Sequence, residues 1–154
     1  MNDLCARVLQ VLQGKTLVAA ESCTGGGIGA ALTAIPGSSA VYKGGVICYT
    51  DWVKEHILGV DREVLARYGA VSEEVAAQMA EGVRTKLSAD VAVSITGLAG
   101  PSGDGFGHDI GTVYIGYCSA SKSVTKKFLF SGDREAVRVQ AIEAALMIVI
   151  ENNV

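Results

Sequence analysis

Five side chains in this sequence could together bind or cut a small polar molecule: Ser22, Cys23, Tyr49, Lys54 and Arg138. Ser22 and Cys23 lie in AESCTGGGIGAALTAIPG, from Ala20 to Gly37, where an apolar run ends, polar residues and three glycines follow, and a helix begins. A serine at the sharp exit of a strand, just before a helix, presents its hydroxyl with backbone N–H groups beside it. Such a serine needs a base. His56, on a short helix, and His108, in a loop, read as surface residues. A lysine serves as base when desolvation or a nearby cation lowers its pKa. Lys54 follows Tyr49 across a strand-to-helix junction in YTDWVK. If the carboxyl ends of strands 16–20 and 45–50 lie side by side, Tyr49 and Lys54 approach Ser22. Cys23 ranks below Ser22 as nucleophile, because no histidine is placed to pair with it.

The same stretch admits other readings. The glycines and the free N–H groups of a helix start suit an anion or a developing oxyanion, and a glycine turn can also serve packing alone. Gly25, Gly27 and Ala30 satisfy the spacing of a dinucleotide fingerprint, with Asp51 placed where a ribose-binding acid would stand. Against a nicotinamide-cofactor oxidoreductase, the polar Glu21–Thr24 occupies a turn that needs bare backbone, and the chain is short for two domains. A second glycine loop, TGLAGPSGDG from Thr96 to Gly105, also leaves the carboxyl end of a strand. Two such loops at one sheet edge make a crevice, and Arg138 could reach a phosphate or carboxylate there.

The elements that must position these residues follow from hydrophobic periodicity. Helices are expected over 2–13, 24–34, 51–58 (with Asp51 as N-cap), 62–68, from Ser72 onward with Val75, Met79 and Val83 as buried stripe, and over 134–150 behind Gly132-Asp133. Strands are expected over 16–20, 45–50 and 90–96, with a hairpin of 111–118 and 123–130. Alternation of helices and strands followed by a hairpin implies an α/β fold: a three-layer α/β/α domain with a mixed, largely parallel sheet and a C-terminal β-hairpin plus helix. The 154 residues fit one domain, 1–154.

Composition excludes several classes. With 49% hydrophobic and 19% charged residues the chain should fold rather than stay disordered. A net charge of −3, with Lys126-Lys127 its one basic pair, offers no footprint for nucleic acid. No apolar run reaches membrane-spanning length and the first residues do not read as a signal peptide, so a cytoplasmic location is expected. The four cysteines lack CxxC spacing and lie far from both histidines, so no metal site and free buried thiols are expected.

AESCTGG, GGVICYTDWVK, GAVSEEVAAQMAEG, TGLAGPSG with a following GTVYIG, and FSGDREAVRVQAIEAAL resemble the CinA C-terminal domain family, from roughly Leu9 to the last residue. Standing alone, that domain is a nicotinamide mononucleotide deamidase. The resemblance implies hydrolysis of nicotinamide mononucleotide to nicotinate mononucleotide and ammonia, in pyridine-nucleotide recycling, without metal or other cofactor. It implies Ser22 as nucleophile, Lys54 as general base and Tyr49 as relay or orienting group. It further implies a substrate site of Glu21, Cys23, Thr24, Gly25, Gly26, Thr96, Gly97, Ala99, Gly100 and Arg138, an oxyanion held by helix-start N–H groups, and a homodimer. A catalytically silent nucleotide-binding module of the same family is the alternative. The chain departs from the family at Asp51, where asparagine is common, and in the loop PSGDGFGHD, which brings in Asp104 and Asp109. The N-terminal domain of longer members has no counterpart, so their second activity is expected to be absent.

Overall fold

The structure is a computed structural model describing residues 1–154. In chain order it runs α1 (Asn2–Val11), β1 (Leu17–Glu21), α2 (Gly27–Thr33), a single 3-10 turn (Ser38–Ala40), β2 (Tyr42–Ile47), α3 (Asp51–His56), α4 (Arg62–Tyr68), α5 (Glu73–Lys86), β3 (Val91–Gly97), β4 (Thr112–Ser119), β5 (Ser123–Leu129) and α6 (Arg134–Glu151). The five strands make one sheet in the order β2-β1-β3-β4-β5. β1 pairs in parallel with β2 and β3, and β4 is antiparallel to both β3 and β5. Four strands therefore point one way and β4 alone is reversed, which makes the sheet mixed.

Side chains alternate across a strand, so the central strands β1 and β3 feed two cores. Leu17 and Ala19 of β1 join Val91, Val93 and Ile95 of β3 in a cluster covered by α1, α2 and α6. Val18 and Ala20 point the other way, with Ala92, into a cluster closed by Leu58, Leu65 and the Val75, Met79 and Val83 stripe of α5. The result is three layers, with β1 buried at every residue. No helix is long and apolar enough to cross a membrane.

Three local differences from expectation bear on the site. α2 starts at Gly27 rather than Thr24, because Gly25 and Gly26 adopt φ of 58° and 104°, a left-handed turn that no helix can include. β2 starts at Tyr42 and ends at Ile47, so Cys48, Tyr49 and Thr50 leave the sheet before α3. Asp51 lies inside α3, where Thr50 is the N-cap and makes no side-chain capping bond. By contrast, Ser72 caps α5 by accepting from Val75 N–H at 3.3 Å, and Asp133 caps α6 by accepting from Ala136 N–H at 2.9 Å.

Candidate active site

The chain leaves β1 towards β2 on one side and later returns to pair β3 on the other. The carboxyl end of β1 is thus the topological switch point, where α/β sheets open a crevice. Ser22 is the first residue past that end, and its N–H continues the ladder by donating to Ile95 carbonyl oxygen at 3.0 Å. A cleft of about 440 Å³ opens above it.

Lys54 reaches into this cleft floor from α3. Its Nζ donates to Ser22 Oγ at 3.0 Å and to Cys48 carbonyl oxygen at 2.7 Å. Lys54 is 1% exposed and has no carboxylate within ion-pair distance. Burial pushes its pKa below the ordinary lysine value, opposed in part by Cys48, Asp51 and Cys23. A cation stripped of water and left without a counterion gives up its proton readily. The neutral amine then stands on the same line to accept the Ser22 hydroxyl proton.

The two nearby thiols are of another kind. Burial pushes both Cys23 and Cys48 up to about 11, so each stays protonated near neutral pH. Cys23 lines the cleft but no helix start lies beneath it, since α2 begins at Gly27.

Glu21 takes a role that the residue pattern does not disclose. Its carboxylate is buried and turned beneath α2, accepting from Thr24 Oγ1 at 2.7 Å, Ile28 N–H at 2.9 Å and Gly29 N–H at 3.3 Å. The helix start therefore already holds an anion, supplied by the protein. The expected oxyanion site at the start of α2 is corrected accordingly: its N–H groups are engaged. A dinucleotide pyrophosphate would meet the same carboxylate, which counts against the fingerprint reading of Gly25, Gly27 and Ala30. The N–H groups of Cys23 and Thr24, inside the turn itself, donate to no acceptor in the protein.

The residues expected around the substrate divide into two groups. Ser22, Cys23, Tyr49 and Lys54 line the cleft from one side, and Thr96, Gly97, Ala99 and Gly100 line it from the second glycine loop. Thr96 Oγ1 also donates to Ala70 carbonyl oxygen at 2.8 Å, tying the end of β3 to the α4–α5 junction. Glu21, Thr24, Gly25, Gly26 and Arg138 do not line the cleft. Arg138 instead holds the serine turn from behind, donating from Nε to Cys23 carbonyl oxygen at 3.0 Å and from Nη2 to Thr24 carbonyl oxygen at 3.2 Å. These bonds fix the Cys23–Thr24 and Thr24–Gly25 peptide units, in the turn just past Ser22.

The arginine in the cleft is Arg134, which the residue pattern passed over. It lies one helical turn before Arg138 on α6, on the same face. Its Nη1 donates to Gly100 carbonyl oxygen at 2.7 Å and its Nη2 to Tyr49 Oη at 2.9 Å. Tyr49 is thus engaged with Arg134 at the cleft rim, and the hydrogen bonds at Lys54 run to Ser22 and Cys48. The signal that could have found Arg134 is its place directly after the Asp133 N-cap, in GDRxxxR. A four-residue spacing aims two arginines at two loops. Neither histidine lines the cleft: His56 stacks on Trp52, and His108 pairs with the cleft-lining Asp104.

Comparison with known proteins bears on this geometry. The CinA C-terminal domain family matches residues 1–152. A CinA-like protein of Thermosynechococcus vestitus is 53% identical over 135 residues, covering 87% of this chain and 32% of that protein. A putative competence-damage inducible protein of Desulforudis audaxviator is 43% identical, covering 92% of this chain and 34% of its own length. The chain spans about a third of the length of these curated relatives. Among solved structures, a CinA superfamily protein of Klebsiella pneumoniae superposes with a TM-score of 0.95 at 38% identity, covering 98% of this chain and 96% of that one. One from Enterobacter cloacae does so with a TM-score of 0.96 at 37% identity, covering 99% of this chain and 92% of that one. With matches over nearly its full length in sequence and in fold, the chain belongs to the CinA C-terminal domain family.

Proposed function

We propose that this cleft hydrolyses the carboxamide of nicotinamide mononucleotide to the carboxylate and ammonia. The observation that carries the reading is the Lys54–Ser22 pair, 3.0 Å apart on the cleft floor, beside the unengaged backbone N–H of Cys23. Ser22 Oγ attacks the carboxamide carbon while neutral Lys54 takes its proton. The unengaged N–H group of Cys23, which lines the cleft beside Ser22, receives the developing oxyanion. Lys54 returns its proton to the departing nitrogen, ammonia leaves, and an ester to Ser22 remains. Water, deprotonated by Lys54, then attacks the ester carbon. The acid departs as Ser22 Oγ regains a proton from Lys54. Tyr49 acts in this scheme by holding Arg134, and Arg134 takes the substrate phosphate with the N–H groups it has left.

The test is ammonia release and nicotinate mononucleotide formation from nicotinamide mononucleotide by the wild-type protein. Product supports the reading. Thermal stabilisation by the nucleotide without product would identify the silent nucleotide-binding module instead.

The two arginines should separate in kinetics. Arg134→Gln is expected to raise KM for the mononucleotide about 10- to 100-fold, as loss of a charged hydrogen-bond partner implies, with kcat changed little. Arg138→Gln should lower kcat and the melting temperature together, because it frees the carbonyls of Cys23 and Thr24 and loosens the serine turn. Steady-state kinetics and thermal melts of the two variants check this. The reverse pattern would return the phosphate to Arg138.

A further inference from the structure

The second glycine loop carries a cleft side chain that the reaction above leaves without a task. Asp104 lines the cleft together with Ser22 and Lys54. Its Oδ1 accepts from Phe106 N–H at 3.0 Å and its Oδ2 pairs with His108 Nδ1 at 2.8 Å. An ionised carboxylate has no proton to give, so His108 Nδ1 is the donor. The Asp104 side chain is 15% exposed. Burial pushes its pKa up, but the bonds from Phe106 and His108 outweigh this and hold it below the ordinary value.

The loop is itself anchored. Phe106 lies across Gly69, where a Cβ would come within 2.8 Å of its ring. The His108 ring stands edge-on to Tyr114, with centroids 6.2 Å apart. Asp104 is therefore a charged acceptor fixed in direction, and each of its oxygens retains a further lone pair. The other cleft carboxylate, Asp51, is exposed and makes no hydrogen bond. A group fixed before the ligand arrives contributes more to binding than one that must be ordered.

We propose that Asp104 is a substrate-binding residue that accepts hydrogen bonds from the vicinal ribose hydroxyls, so that the cleft selects a ribonucleotide amide. The proposal rests on the amide-hydrolysis reading and extends it by a process of elimination. Nicotinamide mononucleotide has donors in two places, the carboxamide nitrogen and the ribose hydroxyls. The carboxamide belongs at Ser22. The dianionic phosphate is an acceptor, repelled by a carboxylate and suited to Arg134. The hydroxyls are the donors that remain. A carboxylate on a ribose hydroxyl is also how dinucleotide-binding folds hold the sugar.

The experiment measures kcat/KM for ammonia release from nicotinamide mononucleotide and from its 2′,3′-dideoxy analogue, with wild type, Asp104→Ala and Asp104→Asn. Wild type should prefer the ribonucleotide by roughly 10- to 100-fold, the usual weight of hydrogen bonds to a charged group. Asp104→Ala should lose that factor on the ribonucleotide, keep its rate on the analogue, and so abolish the preference. Asp104→Asn, which keeps one acceptor oxygen, should fall between. Equal rates on both substrates in wild type would overturn the proposal. So would an equal loss on both in Asp104→Ala, which would make Asp104 a loop support or a partner of the ring cation. If wild type releases no ammonia at all, the amidase reading fails separately. Calorimetric binding of the same two nucleotides then decides the ribose contact, and equal or absent binding overturns it.

Discussion

Ser22→Ala is expected to remain folded and to release ammonia from nicotinamide mononucleotide about 10⁴- to 10⁶-fold more slowly than wild type, the range for removing an activated nucleophile. Ser22 Oγ has Lys54 Nζ as its hydrogen-bond partner, and its backbone remains laddered to Ile95 after truncation. The stability loss should be near that of one hydrogen bond, about 1 kcal/mol, because Lys54 keeps Cys48 carbonyl oxygen. Cys23→Ala provides the control. Its thiol is held protonated by burial, so its loss should change kcat less than about 10-fold, through packing of the turn. Ammonia assays and thermal melts of both variants check the pair. Activity surviving in Ser22→Ala but not in Cys23→Ala would transfer the nucleophile to the thiol.

Lys54→Met should lower kcat by about 10²- to 10⁴-fold, the contribution of a positioned general base, and should at the same time raise the melting temperature at neutral pH. Methionine fills a similar volume without a charge in a place where a charge is penalised. The sign of the pH effect follows from the lowered pKa. Between the depressed folded pKa and the ordinary lysine value, the unfolded chain binds more protons than the folded one. Wild-type stability therefore rises with pH across that window, through the loss of a penalty fully present below it. Lys54→Met should lack this rise, so the two melting curves converge at alkaline pH. In wild type, kcat/KM should also climb with pH as Lys54 loses its proton, with a midpoint below the usual lysine range. A wild type more stable than Lys54→Met at neutral pH, or a rate that falls as pH rises through that window, would remove Lys54 from the role of base.

Much of the arrangement was legible in the residue pattern, for definite reasons. A polar Ser22 at the end of an apolar run, and a lysine one turn past the end of a second strand, are brought together by parallel pairing of β1 with β2, and parallel pairing follows from helix–strand alternation. Ser72 and Asp133 announce their helices because their caps act within three residues. The residue pattern does not show the start of α2, because its cap is not local: Glu21 reaches Ile28 from seven residues upstream. The start of β2 at Tyr42 is masked by Gly44 and Gly45, which lower strand propensity. Arg134 and Arg138 could not be told apart by type. Arg134 meets Gly100 and Tyr49 and Arg138 meets Cys23 and Thr24, partners that only the folded chain brings to α6.

The wide separation of these partners along the chain bears on how activity returns after denaturation. Ser22 meets Lys54 across 32 residues, Tyr49 meets Arg134 across 85, and Cys23 meets Arg138 across 115. Loop-closure entropy opposes each of these meetings until the parallel strands have docked. Helical content measured by circular dichroism will therefore recover before turnover does. The return of ammonia release will report the last long-range closure, the seating of α6 against both glycine loops, rather than the initial collapse of the chain.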